Sequence, residues 1–472
     1  MRIRFAIITG VRAAAAVMLV PISLAATASF SPAQAAAAQA GDFDGDGRRE
    51  LVIGSPNGTV SQQPAAGFVA VAYGDTTGPD ITNRQIVSQN NAGVPDSAEA
   101  DDLFGGALAS ADFDQDGFAD LAVGAPGEGL RDEDATQGRL VVIYGSEDGL
   151  SSRSVELTTG GLESYIGSNL TVGDVNGNGQ PDLVTTGSGD FWTFTDIGTG
   201  NVTGQRTPLP ADDPSQGLYW ATPVAADFTG DGYADLAMLR ADSIDGLPSG
   251  AAVELRLGSP SGLGSPRALP GTGWIGVAGD INGDGRSDLI TNGGDVEGPV
   301  AGEISVRLGT ASGLSSATWI DQATAGVPGT SEPGDLFGNA LALGDVTGDG
   351  RADAAIGAPG EAIGTTAGTG AVTVLPGGAS GLTTNGAHQI SQNTSGVPGS
   401  SEANDRFGSA VALNNVMADG KADLTAGTPG EDGTEGRVYL FAGAATSQIT
   451  TVAPTSLGIG GRQSRLGDVL LP

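Results

Sequence analysis

The chain of 472 residues has no cysteine, one histidine (His388) and one lysine (Lys421), and aromatic residues make up only 5% of it. Without cysteine there is no disulfide and no thiolate zinc site. One histidine and one lysine leave almost no material for a His general base or a Schiff-base lysine. Arg and Lys together number 21 against 55 Asp and Glu, a formal net charge of −34. That balance excludes a surface built to neutralise nucleic-acid phosphates and disfavours docking on anionic lipid. It favours cations. Past the N-terminal leader no apolar run approaches the roughly 20 residues that span a bilayer, and no long stretch repeats apolar residues at the helical period.

What is abundant is glycine, 79 residues, with 25 prolines. This composition suits many tight turns between short strands. At the N-terminus Arg2, Arg4 and Arg12 precede the apolar run AAAAVMLVPISLAATA, and Ala33-Gln34-Ala35 offers a small-residue cleavage site. The reading is a signal peptide over residues 1–35 and a secreted chain over 36–472. A secreted fold without disulfides must take its rigidity from burial or from bound metal.

One acidic segment recurs seven times: DFDGDGRREL at Asp42, DFDQDGFADL at Asp112, DVNGNGQPDL at Asp174, DFTGDGYADL at Asp227, DINGDGRSDL at Asp280, DVTGDGRADA at Asp345 and a worn NVMADGKADL at Asn415. The intervals are 70, 62, 53, 53, 65 and 70 residues, enough for four short strands with their turns. Eight residues upstream of four loops stands an apolar residue followed by glycine: Phe104-Gly105, Ile166-Gly167, Phe337-Gly338 and Phe407-Gly408. Downstream come GSP, GAP, GAP and GTP at Gly54, Gly124, Gly357 and Gly427, then segments alternating at period two such as GRLVVIYG and GRVYLFAG.

These motifs resemble the FG-GAP repeat family, the β-propeller of integrin α-subunit heads and of many secreted bacterial proteins. The resemblance covers essentially the whole mature chain. It is strongest in repeats two, six and seven; repeats three to five keep the acidic loop but lack GAP, and repeat four has Tyr219-Trp220 where Phe-Gly would stand. It implies an all-β, seven-bladed propeller. The first repeat has no upstream FG strand, while Leu466-Gly467-Asp468-Val469-Leu470 near the C-terminus reads like FGGAL at Phe104. The last strand is therefore expected to complete the first blade and close the ring, removing exposed strand edges.

Numbered from its first acid, each loop offers side-chain oxygens at positions 1, 3, 5 and 9, with glycine at 6. Calcium takes about six to eight such oxygens, and position 7 is expected to add a backbone carbonyl. The candidate ligands are Asp42, Asp44, Asp46, Arg48 and Glu50 in loop one, then Asp112, Asp114, Asp116, Phe118 and Asp120 in loop two. Loop three offers Asp174, Asn176, Asn178, Gln180 and Asp182; loop four Asp227, Thr229, Asp231, Tyr233 and Asp235. Loop five offers Asp280, Asn282, Asp284, Arg286 and Asp288; loop six Asp345, Thr347, Asp349, Arg351 and Asp353. Loop seven has Asn415 at position 1 and Met417 at position 3, and a thioether is a poor ligand for a hard cation. Six calcium ions are expected, with the third site weakest and the seventh empty. An EF-hand would close at position 12 and continue as a helix, whereas here a strand pattern begins at once. The bland alternative is a set of acidic turns shaped only by Asp and Gly.

The function these features favour is a secreted interaction or adhesion module whose blades calcium stiffens. Its expected partner is an extracellular protein or polysaccharide, met as a monomer, with no nucleic acid and no membrane insertion once the leader is removed. The resemblance implies recognition by loops opposite the calcium hairpins; candidates are PDSAEADDLFG, GEGLRDEDATQG, PGTSEPGDLFG, PGSSEANDRFG and GEDGTEG. The alternatives are a hydrolase acting on carbohydrate or phosphoester, for which paired carboxylates would serve, and a wall-associated scaffold. No catalytic residue is assigned, and an enzyme is not expected.

Overall fold

The computed structural model describes residues 38–472 apart from 76, 130–137, 161–165, 188, 210–219, 245–246, 272, 294–300 and 460–463. The expected signal peptide, Tyr219 and most of the GEGLRDEDATQG segment lie outside the described residues. Residues 37–472 form one compact unit.

The structure holds seven four-stranded antiparallel sheets, and segments such as GRLVVIYG and GRVYLFAG each form one strand of a sheet, Arg139–Ile143 and Arg437–Phe441. The second sheet is representative, a meander of Ala107–Ala111, Asp120–Ala125, Arg139–Ile143 and Ser154–Leu157. The corresponding first strands of sheets three to seven are Leu170–Gly173, Trp220–Ala226, Gly276–Gly279, Ala340–Gly344 and Val411–Asn414. First strands of consecutive sheets contact one another, which makes them the innermost strands of a seven-bladed propeller. The first sheet differs in its chain order. It holds Leu51–Ser55, Phe68–Asp75 and Gly78–Val87, and its fourth strand is Val469–Leu470, paired Ile53 to Leu470 and Gly54 to Val469.

Apolar side chains fill the spaces between sheets. The cluster of Ala109, Phe113, Leu140, Val142, Trp192 and Phe194 joins sheets two and three, and that of Val372, Phe407, Leu424, Tyr439 and Phe441 joins six and seven. Phe104, Phe407 and Leu466 are completely buried, and Ile166 and Phe337 nearly so. Packing also explains the glycines of both motifs. A Cβ on Gly124, Gly357 or Gly427 would lie 2.0, 2.1 or 2.0 Å from the carbonyl oxygen of Gly167, Gly408 or Gly467 in the next sheet. Only glycine permits two backbones to approach so closely. Gly467 thus meets Gly427 as Gly167 meets Gly124 and Gly408 meets Gly357.

Candidate metal centre

In blades two to seven the acidic loop joins the innermost strand of the sheet to the second; loop one only leads into the second strand, Leu51–Ser55, because the innermost strand of its sheet is Val469–Leu470. Position 2 anchors each loop: Phe43, Phe113, Val175, Phe228, Ile281, Val346 and Val416 are all buried. Glycine at position 6 has positive φ in every loop, from +81° at Gly179 to +97° at Gly117. A Cβ at Gly47, Gly179, Gly232, Gly285, Gly350 or Gly420 would meet nothing within 4 Å. Glycine is required there by the left-handed backbone and not by crowding.

The sharp turn aims backbone donors at the acids. The position-1 carboxylate accepts the N–H of the position-6 glycine in loops one to six, at 3.0 Å from Gly47, 3.1 Å from Gly117 and 2.7 Å from Gly179. Gly232, Gly285 and Gly350 donate at 2.8 Å each. Position 9 is a latch. One oxygen of Asp120 accepts Phe113 N–H at 2.8 Å and the other Gly145 N–H, just past the third strand, at 2.9 Å. Asp235, Asp288, Asp353 and Asp423 repeat this outer contact with Gly258, Gly309, Gly377 and Gly443.

Loops one and two differ from the rest in what remains unpaired. Carboxylate oxygens of Asp42, Asp44 and Glu50 lie within 4.8 Å of one another, as do those of Asp112, Asp114 and Asp120. Asp42 Oδ1, Glu50 Oε1 and Asp114 Oδ1 are buried with no hydrogen-bond donor, and Asp42 and Glu50 are only 5% and 4% exposed. A buried carboxylate without a partner is costly and must acquire a proton or a cation. Burial pushes Glu50 up to about 9 and Asp120 up to about 8, with neighbouring carboxylates adding to the shift. Asp42 and Asp44 are raised for the same first cause.

In loops three to five a neutral side chain at position 3 bonds to one of the acids. Asn176 Nδ2 donates to Asp182 Oδ1 at 3.1 Å, Thr229 Oγ1 to Asp227 Oδ1 at 3.4 Å and Asn282 Nδ2 to Asp284 Oδ2 at 3.3 Å. At position 5, Asp284 and Asp349 turn toward Arg286 and Arg351 at 3.4 and 3.0 Å. Asp46 does the same with Arg48 at 2.6 Å. Among the described residues, only loops one and two bring three acidic side chains together. In loop seven, Met417 packs against Gly78, its Sδ 2.3 Å from where a Cβ would stand.

The sequence did not disclose what position 7 does with its side chain. Phe118, Tyr233, Arg286, Arg351 and Lys421 each lie over the position-4 glycine of the preceding loop: Gly45, Gly177, Gly230, Gly283 and Gly348. A Cβ on those glycines would come within 2.8 to 3.4 Å of the overlying side chain. The signal available was the near-constant glycine at position 4.

At the other end of the strands, the acidic segments proposed for recognition are partly structural. Asp102, Asp335 and Asp405 are buried and accept the N–H of Glu99, Glu332 and Glu402. Gln89 donates to Glu128 and Gln322 to Glu361 at 2.6 Å each, and Gln392 donates to Glu431. What stays accessible there is a cleft of about 600 Å³ between blades six and seven, lined by Glu332, Leu336, Asn404, Arg406 and Ser409 among others. Leu336 and Trp319 are the exposed large apolar side chains of the described surface. His388, the single histidine, is exposed and opens the outermost strand of blade six, His388–Ile390.

Fold and loops together define a seven-bladed β-propeller assembled from acidic-hairpin repeats. The chain carries FG-GAP repeats: the FG-GAP repeat family matches residues 35–71, 104–143 and 337–375, and an FG-GAP-like repeat matches 174–238. Mouse phosphatidylinositol-glycan-specific phospholipase D is 36% identical over 146 residues, 30% of this chain and 17% of that protein. Rat integrin alpha-7 is 34% identical over 150 residues, 30% of this chain and 12% of the integrin. The matched stretch is thus a small part of each relative. Among solved structures, an Agrocybe aegerita lectin described as recognising non-reducing terminal N-acetylglucosamine superimposes with a TM-score of 0.51. At 14% identity over 89% of this chain and 94% of the lectin, that likeness is one of fold.

Proposed function

We propose that the chain is a secreted calcium-binding propeller that acts as an extracellular interaction or adhesion module. The observation that carries the calcium reading is the set of buried, donor-less oxygens on Asp42, Glu50 and Asp114 inside converging acid clusters. Their chemistry fits a hard cation, since every donor is oxygen and neither thiolate nor imidazole is at hand. In loop one the cage would be Asp42, Asp44, Asp46 and Glu50 with the carbonyl of Arg48; in loop two, Asp112, Asp114, Asp116 and Asp120 with that of Phe118. Loops three to six would hold ions more weakly, because Asn176, Thr229, Asn282 and Thr347 carry no charge at position 3. Calcium would screen acids that otherwise repel and so stiffen the hairpins. Secretion rests on the leader pattern of residues 1–35. Recognition is assigned to the FG end of the blades, where the cleft beside Leu336 and Arg406 lies, and the likeness to integrin α chains supports that choice.

The likeness to phospholipase D favours one second reading, a hydrolase. A pull-down from matrix proteins and cell-wall polysaccharides, with calcium and with chelator, tests the first. Calcium-dependent capture that Arg406→Glu abolishes is the expected result. Turnover of a phosphodiester or glycoside, lost on changing one acid outside the loops, would replace it with the second.

A further inference from the structure

Loops one and two touch through their own ligand residues. The N–H of Ala119, next to Asp120, donates to the carbonyl oxygen of Asp42 at 2.8 Å. The Phe118 ring lies on Gly45, between Asp44 and Asp46, where a Cβ would come within 2.8 Å of it. In the other direction the N–H of Ala38, just upstream of loop one, donates to Asp112 Oδ2 at 3.2 Å. Ser146 N–H, beside the latch of Asp120, donates to Phe43 O at 3.1 Å. The backbone of each loop is thus bonded to a residue of the other loop or to one beside it.

The position-8 to position-1 bond recurs farther along the chain. Ala234 donates to Asp174 O at 3.2 Å, Ser287 to Asp227 O at 2.9 Å, and Ala352 and Ala422 to Asp280 O and Asp345 O at 2.8 Å each. Between loops two and three it is impossible, because position 8 of loop three is Pro181, which has no N–H. Between loops seven and one no such bond forms; Arg49 reaches Asn414 with its side chain instead. In this backbone bond, then, loops one and two are a pair set apart from the run of loops three to seven.

We infer that loops one and two bind calcium as a coupled pair, each raising the affinity of the other, with the coupling carried by Ala119 N–H and the Phe118 ring. This rests on the calcium reading above. Ordering of one loop fixes the donor and the ring that the other needs, so the second binding event orders less chain. Coupling of this kind is reciprocal.

The test uses the secreted chain labelled with ¹⁵N-glycine, so that the Gly47 and Gly117 amides report loops one and two separately during calcium titration. Disabling loop two with Asp114→Asn and Asp116→Asn is expected to weaken binding at Gly47 by about 5–10-fold. The mirror pair Asp44→Asn and Asp46→Asn should weaken Gly117 by the same factor. Ala119→Pro, which gives loop two the residue that loop three already tolerates, should reduce both effects to below about twofold. Phe118→Ala serves the same purpose should the proline variant not fold. Equal affinity at Gly47 with loop two intact and disabled would overturn the coupling while leaving the calcium reading standing. Gly47 and Gly117 amides that ignore calcium altogether would overturn both.

Discussion

Strip calcium from the chain and raise the pH, and the blades at loops one and two should weaken in a way their burial dictates. Glu50 has an ordinary value of 4.5 and is pushed up to about 9 in the folded chain. Between those values the folded protein keeps a proton that the unfolded chain has released. The unfolded state then binds fewer protons, so stability falls as pH rises. Each unit contributes about 1.4 kcal/mol, so from about pH 5 to about pH 8 Glu50 alone accounts for roughly 4 kcal/mol. Asp120, raised to about 8, acts with the same sign over a similar range. Calcium needs the deprotonated cage, so its stabilising effect should grow over the same interval. Differential scanning calorimetry of calcium-free and calcium-loaded chain at both pH values reads this directly. The calcium-free midpoint should drop on going to the higher pH, and calcium should restore most of the loss. Because the net charge of −34 also grows with pH, Glu50→Gln is the control. It keeps an acceptor for Phe43 N–H and should flatten the metal-free pH slope. A calcium-free midpoint that holds or rises with pH, or a slope untouched by Glu50→Gln, would refute the caging argument.

Other consequences are as direct. Removing residues 464–472 deletes the strand paired to Ile53 and Gly54 and the buried Leu466, Leu470 and Leu471. At about 1.5–3 kcal/mol per leucine, the urea midpoint should fall by several kcal/mol's worth, and an unchanged midpoint would show that the tail does not latch the first blade. Gly232→Ala should cost about 1–2 kcal/mol, the expense of a left-handed residue in open space. Gly357→Ala should cost clearly more, because its Cβ would lie 2.1 Å from Gly408 O; equal thermal shifts would contradict the close approach of the two sheets. Asn415→Asp with Met417→Asp gives loop seven the charge pattern of loop two, and native mass spectrometry should then count one more calcium. No gain would mean that loop charge does not decide occupancy.

Much of this architecture was written plainly in the chain. Spacing gave seven units, period two gave their strands, and the constant glycine at position 6 gave the left-handed turn that all seven loops adopt. Close backbone packing also leaves a residue signature, a glycine on each side, as at Gly124 with Gly167 and Gly357 with Gly408. Harder to foresee were contacts whose chemistry is generic. Nothing in Phe118, Tyr233 or Arg286 announces that these side chains cover the previous loop, because an aromatic ring and an aliphatic stem serve equally well. Nor does the sequence distinguish a carboxylate that awaits a cation from one satisfied by its own backbone. Asp102 and Asp335 stand in segments that read as solvated recognition loops, yet both are buried and hydrogen-bonded. Only geometry separates Asp42, with one oxygen left unpaired, from Asp227, whose two oxygens are met by Gly230, Asp231 and Gly232.

The glutamine–glutamate bonds have a bearing on how the molecule behaves in acid. Gln89 to Glu128 fastens blade one to blade two, Gln322 to Glu361 fastens five to six, and Gln392 to Glu431 fastens six to seven. Among the described residues no counterpart bridges blades two to three, three to four or four to five. Those junctions are fastened differently: Thr158 and Val202 bond backbone to backbone across blades two and three, Thr186 Oγ1 donates to Ala221 O across three and four, and Thr222 Oγ1 to Trp274 O across four and five, the last two at 2.7 Å. The wheel is thus held by two kinds of fastening, and only the carboxylate kind, strengthened by its charge, should slacken when acid protonates it.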